Sequence, residues 1–340
     1  MRPPRHVPLL TVRAAAALAA AALLAGCLTS SQGTSGDGAP DDAARFGNSP
    51  FWDNPSGSAE RQVAAYREEG EDAKAELLRL IAERPVAEWL GAERPGRQAR
   101  RYTAAADRAG KRAVLVLYNL PHRDCGQYSG GGAPDAAAYR AWLDEVVAGI
   151  GPRPATVVVE PDALPHLLQE GCTPREFHAE RYALLHEAVR RLAGLADTEV
   201  YLDAGNPGWI EDPGALVEPL RRAGIDAADG FALNVSNFRT TAANLAYGKR
   251  LSAMLDGAHF VVDTSRNGNG PGRGRGEAAW CNPPGRALGD PPTVRTGEHG
   301  VDAYLWVKRP GESDGPCGGA PEAGEWYPSY ALALARNARP

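Results

Sequence analysis

Few of the signatures that assign a protein quickly are present in this chain. Its 340 residues carry a net charge of −5, so the basic footprint of a nucleic-acid binder is missing. Seven histidines are scattered without an H-E-x-x-H, and a metal-dependent mechanism has no ligand set to rest on. None of the five cysteines belongs to a C-x-x-C pair, which makes a four-cysteine zinc site a poor rival to disulfides. The glycine run Gly268–Gly276 holds no G-x-G-x-x-G frame and no following Lys-Ser/Thr; it reads as a loop, not a phosphate cradle. Gly311-Glu312-Ser313-Asp314-Gly315 does fit G-x-S-x-G, but Pro316-Cys317-Gly318-Gly319 follows it. A nucleophile elbow needs a helix there. Internal repeats are absent, and no shift in composition marks a second folded domain.

What is present begins with a targeting segment. Arg2, Arg5 and Arg13 form a basic start, and Ala14 to Gly26 is an apolar run, too short to span a bilayer as an ordinary helix. Leu24-Ala25-Gly26-Cys27 resembles the bacterial lipobox, in which the cysteine becomes the lipidated first residue; a plain secretory signal is the alternative. Both readings export the protein. We expect residues 1–26 to be a signal peptide and 27–48 a Ser/Gly/Asp/Ala/Pro-rich tether bearing lipid on Cys27. Residues 49–340 are expected to form a single folded domain. Four cysteines then remain, Cys125, Cys172, Cys281 and Cys317. An even number in an exported chain argues for two disulfides. Three pairings are open on arithmetic alone. The local one closes loops of about 47 and 36 residues, worth about 4 kcal/mol each on the loop-entropy estimate.

Hydrophobic residues make up 43% of the chain, enough for a substantial core. Strand and helix signals alternate. Strands are expected at Val86–Leu90, Val114–Asn119, Thr156–Glu160, Glu199–Asp203, Gly230–Val235, His259–Asp263 and Val301–Val307. Helices are expected at Ala59–Glu83 (capped by Ser56 or Ser58), Arg97–Gly110, Pro134–Gly149, Pro174–Leu195 (capped by Thr173), Pro213–Ala223, Thr241–Leu255 and Ala323–Asn337. Seven strands alternating with helices imply an α/β fold with a parallel sheet.

Several strands deliver a carboxylate. Asp124, Asp162, Asp203 and Asp314 each sit at or past the end of an apolar strand. One such aspartate would be a helix cap or a turn residue. Four in similar places point to the C-terminal mouth of a β/α barrel, where such folds assemble their sites. Cleaving a glycosidic bond needs this kind of set, because one carboxyl must give a proton to the leaving oxygen while another takes one from water. Crowding raises the proton affinity of such groups. Trp52, Trp209 and Trp280 lie in Gly/Pro/Asn-rich loops, where aromatic faces stack on sugar rings. Trp89, Trp142 and Trp306 read as core.

The segments YNLPHRDC, VVVEPDAL, YLDAGNPGW, FALNVSNF, VVDTSRNG, WCNPPGRALGDPPT, LWVKRPGESDG and APEAGEWYPSYA resemble, in order, the successive blocks of glycoside hydrolase family 6. The resemblance covers roughly Ser49 to Asn337 and implies a distorted seven-stranded (β/α) barrel. It also implies cleavage of β-1,4-glucan with inversion and no cofactor or metal. Asp162 would be the general acid. Asp124 would raise its pKa and steer water, and Asp314 would be the candidate base, acting through a chain of waters. Tyr118 would press on the sugar at the scissile bond. Asp203 would hold the charge network or the substrate. Lys308, Glu312 and Trp280 would bind on the glycone side, with Trp52 further out and Trp209 on the leaving-group side. Asn206 would stand among the substrate-binding residues; Asn237 and Ser129 are weaker carry-overs. The disulfides would be Cys125–Cys172 and Cys281–Cys317.

The chain departs from the family in three places. Many members read YDLPDRDC, whereas Asn119 and His122 stand here for two of the acids. Asn206 stands where many members have His after LDAG. The brief segments Cys125–Pro134 and Pro316–Gly319 are too short to roof a tunnel, so the resemblance implies an open cleft and an endoglucanase. A cellobiohydrolase, a hydrolase of another β-glucan and a non-catalytic surface glycan binder are the alternatives. Expected partners are the glucan or its oligosaccharides, a membrane only through lipid on Cys27, and no nucleic acid; a monomer is the default.

Overall fold

The computed structural model of the protein describes residues 49–274 and 276–338. The expected signal peptide, Cys27 and the tether lie outside the described residues. Among those described, no helix is long and apolar enough to cross a membrane.

Seven strands form one parallel sheet in the order in which the chain makes them. They are β1 (Glu88–Leu90), β2 (Ala113–Leu117), β3 (Ala155–Val159), β4 (Thr198–Asp203), β5 (Gly230–Leu233), β6 (His259–Asp263) and β7 (Val301–Leu305). Two helices, α1 (Ser58–Glu68) and α2 (Asp72–Ala82), precede β1; between the strands run α3 (Pro95–Arg108), α4 (Ala136–Ile150), α5 (Pro165–Leu168), α6 (His178–Leu192), α7 (Val217–Arg222) and α8 (Thr241–Met254), and α9 (Pro328–Asn337) follows β7. The sheet curls toward a barrel but leaves one seam without a ladder. Across it, Ala87 N donates to Trp306 O at 3.0 Å and the Trp89 indole donates to Val307 O at 2.8 Å.

Side-chain parity builds the two sides of this wall. In β2, Leu115 and Leu117 pack outward against the helices, while Val114 and Val116 face the lumen with Val158, Val261, Ala303 and Leu305. The same alternation puts Val200 and Leu202 outside, and Tyr201 inside. Asp203, two residues after Tyr201, and Asp263, two after Val261, therefore point to the lumen at its C-terminal mouth. A second cluster joins α1, α2 and α9 through Val63, Leu78, Ile81, Tyr330 and Leu334, with Trp306 beside them.

The strand count and order agree with expectation; several helix boundaries do not. The single helix expected over Ala59–Glu83 is two. Gly70 takes φ +74, Glu71 N bonds Tyr66 O at 2.8 Å and Gly70 N bonds Arg67 O at 3.2 Å, which is the Schellman stop that glycine permits. The N-cap of α1 is Gly57, and neither Ser56 nor Ser58 caps it. Pro134 lies ahead of α4, whose cap is Asp135 accepting from Ala138 N at 2.8 Å. Thr173 caps nothing: a short 3₁₀ turn, Arg175–Phe177, precedes α6, and the Thr173 hydroxyl sits against Cys172. The last helix starts at Pro328, not Ala323. Both cysteine pairs implied by the resemblance are formed, Cys125–Cys172 and Cys281–Cys317.

Candidate active site

The expected carboxylates Asp124, Asp162, Asp203 and Asp314 lie at the C-terminal mouth of the barrel, on two electrostatically different sides. On the β2–β4 side, Asp124 follows β2, Asp162 follows β3 and Asp203 ends β4. The backbone that presents them is contorted: Asp124, Cys125, Glu160 and Asp162 have φ of 57, 49, 47 and 70°. L-residues adopt this left-handed region only under local constraint. Asp203 accepts from Asp162 N at 2.9 Å and Gly205 N at 3.2 Å through Oδ2, while its buried Oδ1 has no partner. Asp124 accepts from Ser129 N at 2.7 Å.

These three carboxyls favour the proton. Burial, then the neighbouring charges of Asp203 and Asp124, push Asp162 well above the usual carboxylate range. Burial raises Asp203 to about 7, against the pull of its two backbone donors. Asp124 is raised by burial despite Ser129 N and Arg123. Tyr118 feels the charges of Asp162 and Asp124 and stands edge-on to Trp89 at 5.3 Å with the Arg123 guanidinium 4.5 Å from its ring centre.

The β6–β7 side does the opposite. Asp314 is bonded by Arg266 Nη1 at 2.8 Å and Asn282 N at 3.0 Å, with Lys308 Nζ at 3.5 Å. The two cations outweigh burial and hold its carboxyl below its ordinary value. Arg266 is itself fully buried, donates to Ser236 O at 2.6 Å and covers the Phe238 ring. Asp263 accepts from Ser236, Ser265, Val307 and Lys308 N and so ties the loops after β5, β6 and β7 together. One mouth thus carries a carboxyl whose hold on its proton is raised and another whose hold is lowered, which is the equipment of acid–base chemistry.

A cavity of about 400 Å³ opens at the other end of the barrel, lined by Thr156, Glu199, Tyr201, Asp229, His259 and Asp302 among others. Its carboxylates are engaged with one another's neighbours: Glu199 with Thr156, Asp302 with Tyr201 and His259, Asp229 with Val200 N. That end of a β/α barrel serves stability.

The sequence pattern of glycosyl hydrolases family 6 matches residues 46–338. The chain belongs to this family. It is 45% identical over 269 residues to endoglucanase A of Cellulomonas fimi, covering 77% of this chain and 56% of that protein. It is 40% identical over 301 residues to endoglucanase A of Thermobispora bispora, covering 86% and 63%. The chain therefore spans less than two thirds of the length of either relative. The endoglucanase Cel6 of Mycobacterium tuberculosis, solved with a methyl-cellobiosyl-4-deoxy-4-thio-β-D-cellobioside, superposes with a TM-score of 0.79 at 43% identity, covering 86% of this chain and 98% of that one.

The remaining expected residues of this family 6 chain take varied places. Lys308 is buried, and its ammonium donates to Ser313 O at 3.0 Å; Glu312 pairs with Arg309 at 2.9 Å. Asn206 is buried and bonds Gly208 N at 3.0 Å, shaping the turn that carries Trp209. Trp209 stands edge-on to His166 at 5.0 Å and Trp280 is tilted against Tyr128 at 5.9 Å. Trp52, expected on the glycone side, lies instead at the opposite end of the barrel, where its N donates to Arg112 O at 2.9 Å just ahead of β2 and its ring is edge-on to Tyr102 at 4.7 Å. Asn237 turns its carbonyl to Phe238 N. Ser129 supports Asp124 through its backbone. Trp142 and Trp306 are buried as expected, and Trp89 is half-buried in the lumen. Asp263 and Arg266 were not anticipated. The signal for Asp263 was in plain view, since it ends the apolar run FVVD just as Asp203 ends VYLD. Arg266 had none, because its partner Asp314 lies in a different loop.

Proposed function

We propose that the chain is an inverting endo-1,4-β-glucanase. The observation that carries this is the contrast between Asp162 and Asp314 at one barrel mouth, in a chain whose named bacterial relatives are endoglucanases. Asp162, held protonated by burial, Asp203 and Asp124, gives its proton to the leaving glycosidic oxygen. Asp314 supplies fixed negative charge for the developing oxocarbenium ion. Its lowered proton affinity makes it a weak direct base, so it takes the proton of the attacking water through further waters. Tyr118 presses on the distorted sugar. Trp280 carries the glycone side of the chain and Trp209 the leaving-group side. The short loops leave the mouth open to the middle of a polymer.

Proton NMR of cellotetraose hydrolysis tests this. We expect fresh α-anomer from the wild type and none from Asp162→Asn, together with a fall in viscosity of a soluble cellulose derivative that outruns the release of reducing ends. Initial β-anomer would overturn inversion. No cleavage of any β-glucan would favour a binding protein.

Two disulfides fit an oxidising, exported setting. We place the protein at the cell surface, anchored by lipid on Cys27. Labelled palmitate is expected in the wild type and not in Cys27→Ser; equal labelling would remove the anchor.

A further inference from the structure

Two buried opposite charges below the mouth have no part in the reaction as described. Glu160 ends the run that presents Asp162 and is 1% exposed. It reaches across to the loop after β2, where it accepts from Asn119 N and Leu120 N, both at 2.9 Å, and from the Tyr139 hydroxyl at 2.9 Å. Asn119 and Leu120 are the first residues after Tyr118. Arg181 of α6 is 3% exposed and forms no ion pair among the described residues. Its guanidinium instead donates to Ala163 O at 3.1 Å, His122 O at 2.8 Å and Pro121 O at 3.3 Å. Ala163 directly follows Asp162, and His122 stands two residues before Asp124. Each charge therefore holds both segments: Glu160 from within the turn after β3, Arg181 from behind the two loops.

Burial raises the proton affinity of Glu160 while its donors Leu120 N, Tyr139 and Asn119 N pull against it; a buried ion carries a large desolvation cost and persists where it is fully hydrogen-bonded. A fixed guanidinium fork on three carbonyls and a carboxylate on three donors are rigid restraints. The segments they restrain are also those in the left-handed conformation. The disulfide Cys125–Cys172 restrains the same loop only beyond Asp124.

We propose that Glu160 and Arg181 are positioning residues, opposite charges that clamp the loop after β2 onto the turn after β3 and so set how close Asp124 lies to Asp162. This rests on the assignment of Asp162 as the acid. The charged and titratable groups facing Asp162 are Asp203 from β4 and Tyr118 and Asp124 from the loop after β2. Of these, the clamp holds the two on the β2 loop. Loosening it lets Asp124 retreat, and the acid then loses its proton more easily.

The test is the pH profile of kcat on cellotetraose for Glu160→Gln, Arg181→Lys and Asp124→Asn, and for Glu160→Gln combined with Asp124→Asn. Glu160→Gln and Arg181→Lys are expected to move the alkaline limb down by about half a unit or more and to lower kcat about tenfold, with KM little changed. In the Asp124→Asn background Glu160→Gln should shift the limb no further. Glu160→Asp, which keeps the charge, should recover part of the limb. If Asp124→Asn moves the limb while neither clamp variant does, the clamp is wrong. Should Asp124→Asn itself leave the limb in place, the assignment of Asp124 and Asp162 fails instead. If Glu160→Gln shifts the limb equally in both backgrounds, Glu160 acts by its own charge and not by placing Asp124, which also overturns the proposal.

Discussion

Asp162 and Asp314 share one barrel mouth, and their neighbours give them opposite proton affinities. Their removal should therefore have opposite effects on stability. Asp314→Asn leaves the buried Arg266 and Lys308 without their carboxylate, and breaking a buried pair from one side costs about 3–5 kcal/mol. In a domain of this size that is a drop in melting temperature on the order of 10 °C. Asp162→Asn removes a carboxyl that burial and two like charges disfavour once ionised. At pH 8 the variant should melt at or above the wild type while having lost turnover. Calorimetry of both variants at pH 8 decides the matter. An Asp314→Asn protein as stable as the wild type would mean that the two cations do not depend on Asp314.

At the level of elements, the crossing of α3 and α4 is set by two glycines that a helix would ordinarily avoid. A Cβ at Gly149 would lie 2.4 Å from Gly96 O and 3.0 Å from Ala99 Cβ, and one at Gly96 would lie 2.6 Å from Glu145 O. The two backbones touch there. Alanine is the better helix former by about 1 kcal/mol, yet Gly149→Ala should destabilise by about 1–3 kcal/mol because the helices must part. Urea unfolding measures this; a gain in stability would mean that the crossing yields without cost. The strands were legible because a strand buried on both faces writes an unbroken apolar run, and their ends because a charge must follow where the wall stops. Gly70 marks the break between α1 and α2, but the apolar spacing continues across it and masks the stop. Caps at Thr173 and Ser58 were plausible by residue type and lost to a 3₁₀ entry and a glycine. The carboxylates of the site could be found in this way, but not their proton affinities. Those come from burial and then Asp203 and Asp124 at Asp162, and from Arg266 and Lys308 beside Asp314, surroundings that no periodicity encodes. Glu160 and Arg181 escaped notice for the same reason, as charged residues whose burial depends wholly on distant backbone groups.

Over the whole molecule, the buried carboxyls add up to a pH dependence of folding. Asp53 is raised to about 6, Glu60 to about 7 and Asp203 to about 7, each chiefly by burial. A carboxyl whose folded value lies above its unfolded one binds more protons in the native state between the two values. Stability then falls as pH rises through that interval and is greatest below it. For these groups the interval runs from about 4, the ordinary carboxylate value, to about 7. Asp314 works the other way: its depressed value contributes stability that is lost only as pH drops below about 4. The two signs together place the stability maximum near about pH 4–5, with a decline toward neutrality. We expect the wild-type melting temperature to fall steadily between pH 5 and 7.5, and Asp203→Asn to flatten part of that slope, because the substitution removes a group that must ionise inside the barrel. A melting temperature that is level or rises across this range would show that these carboxyls are ionised without cost in the folded state. The proton held on Asp162 would then need a source other than the burial it shares with Asp203.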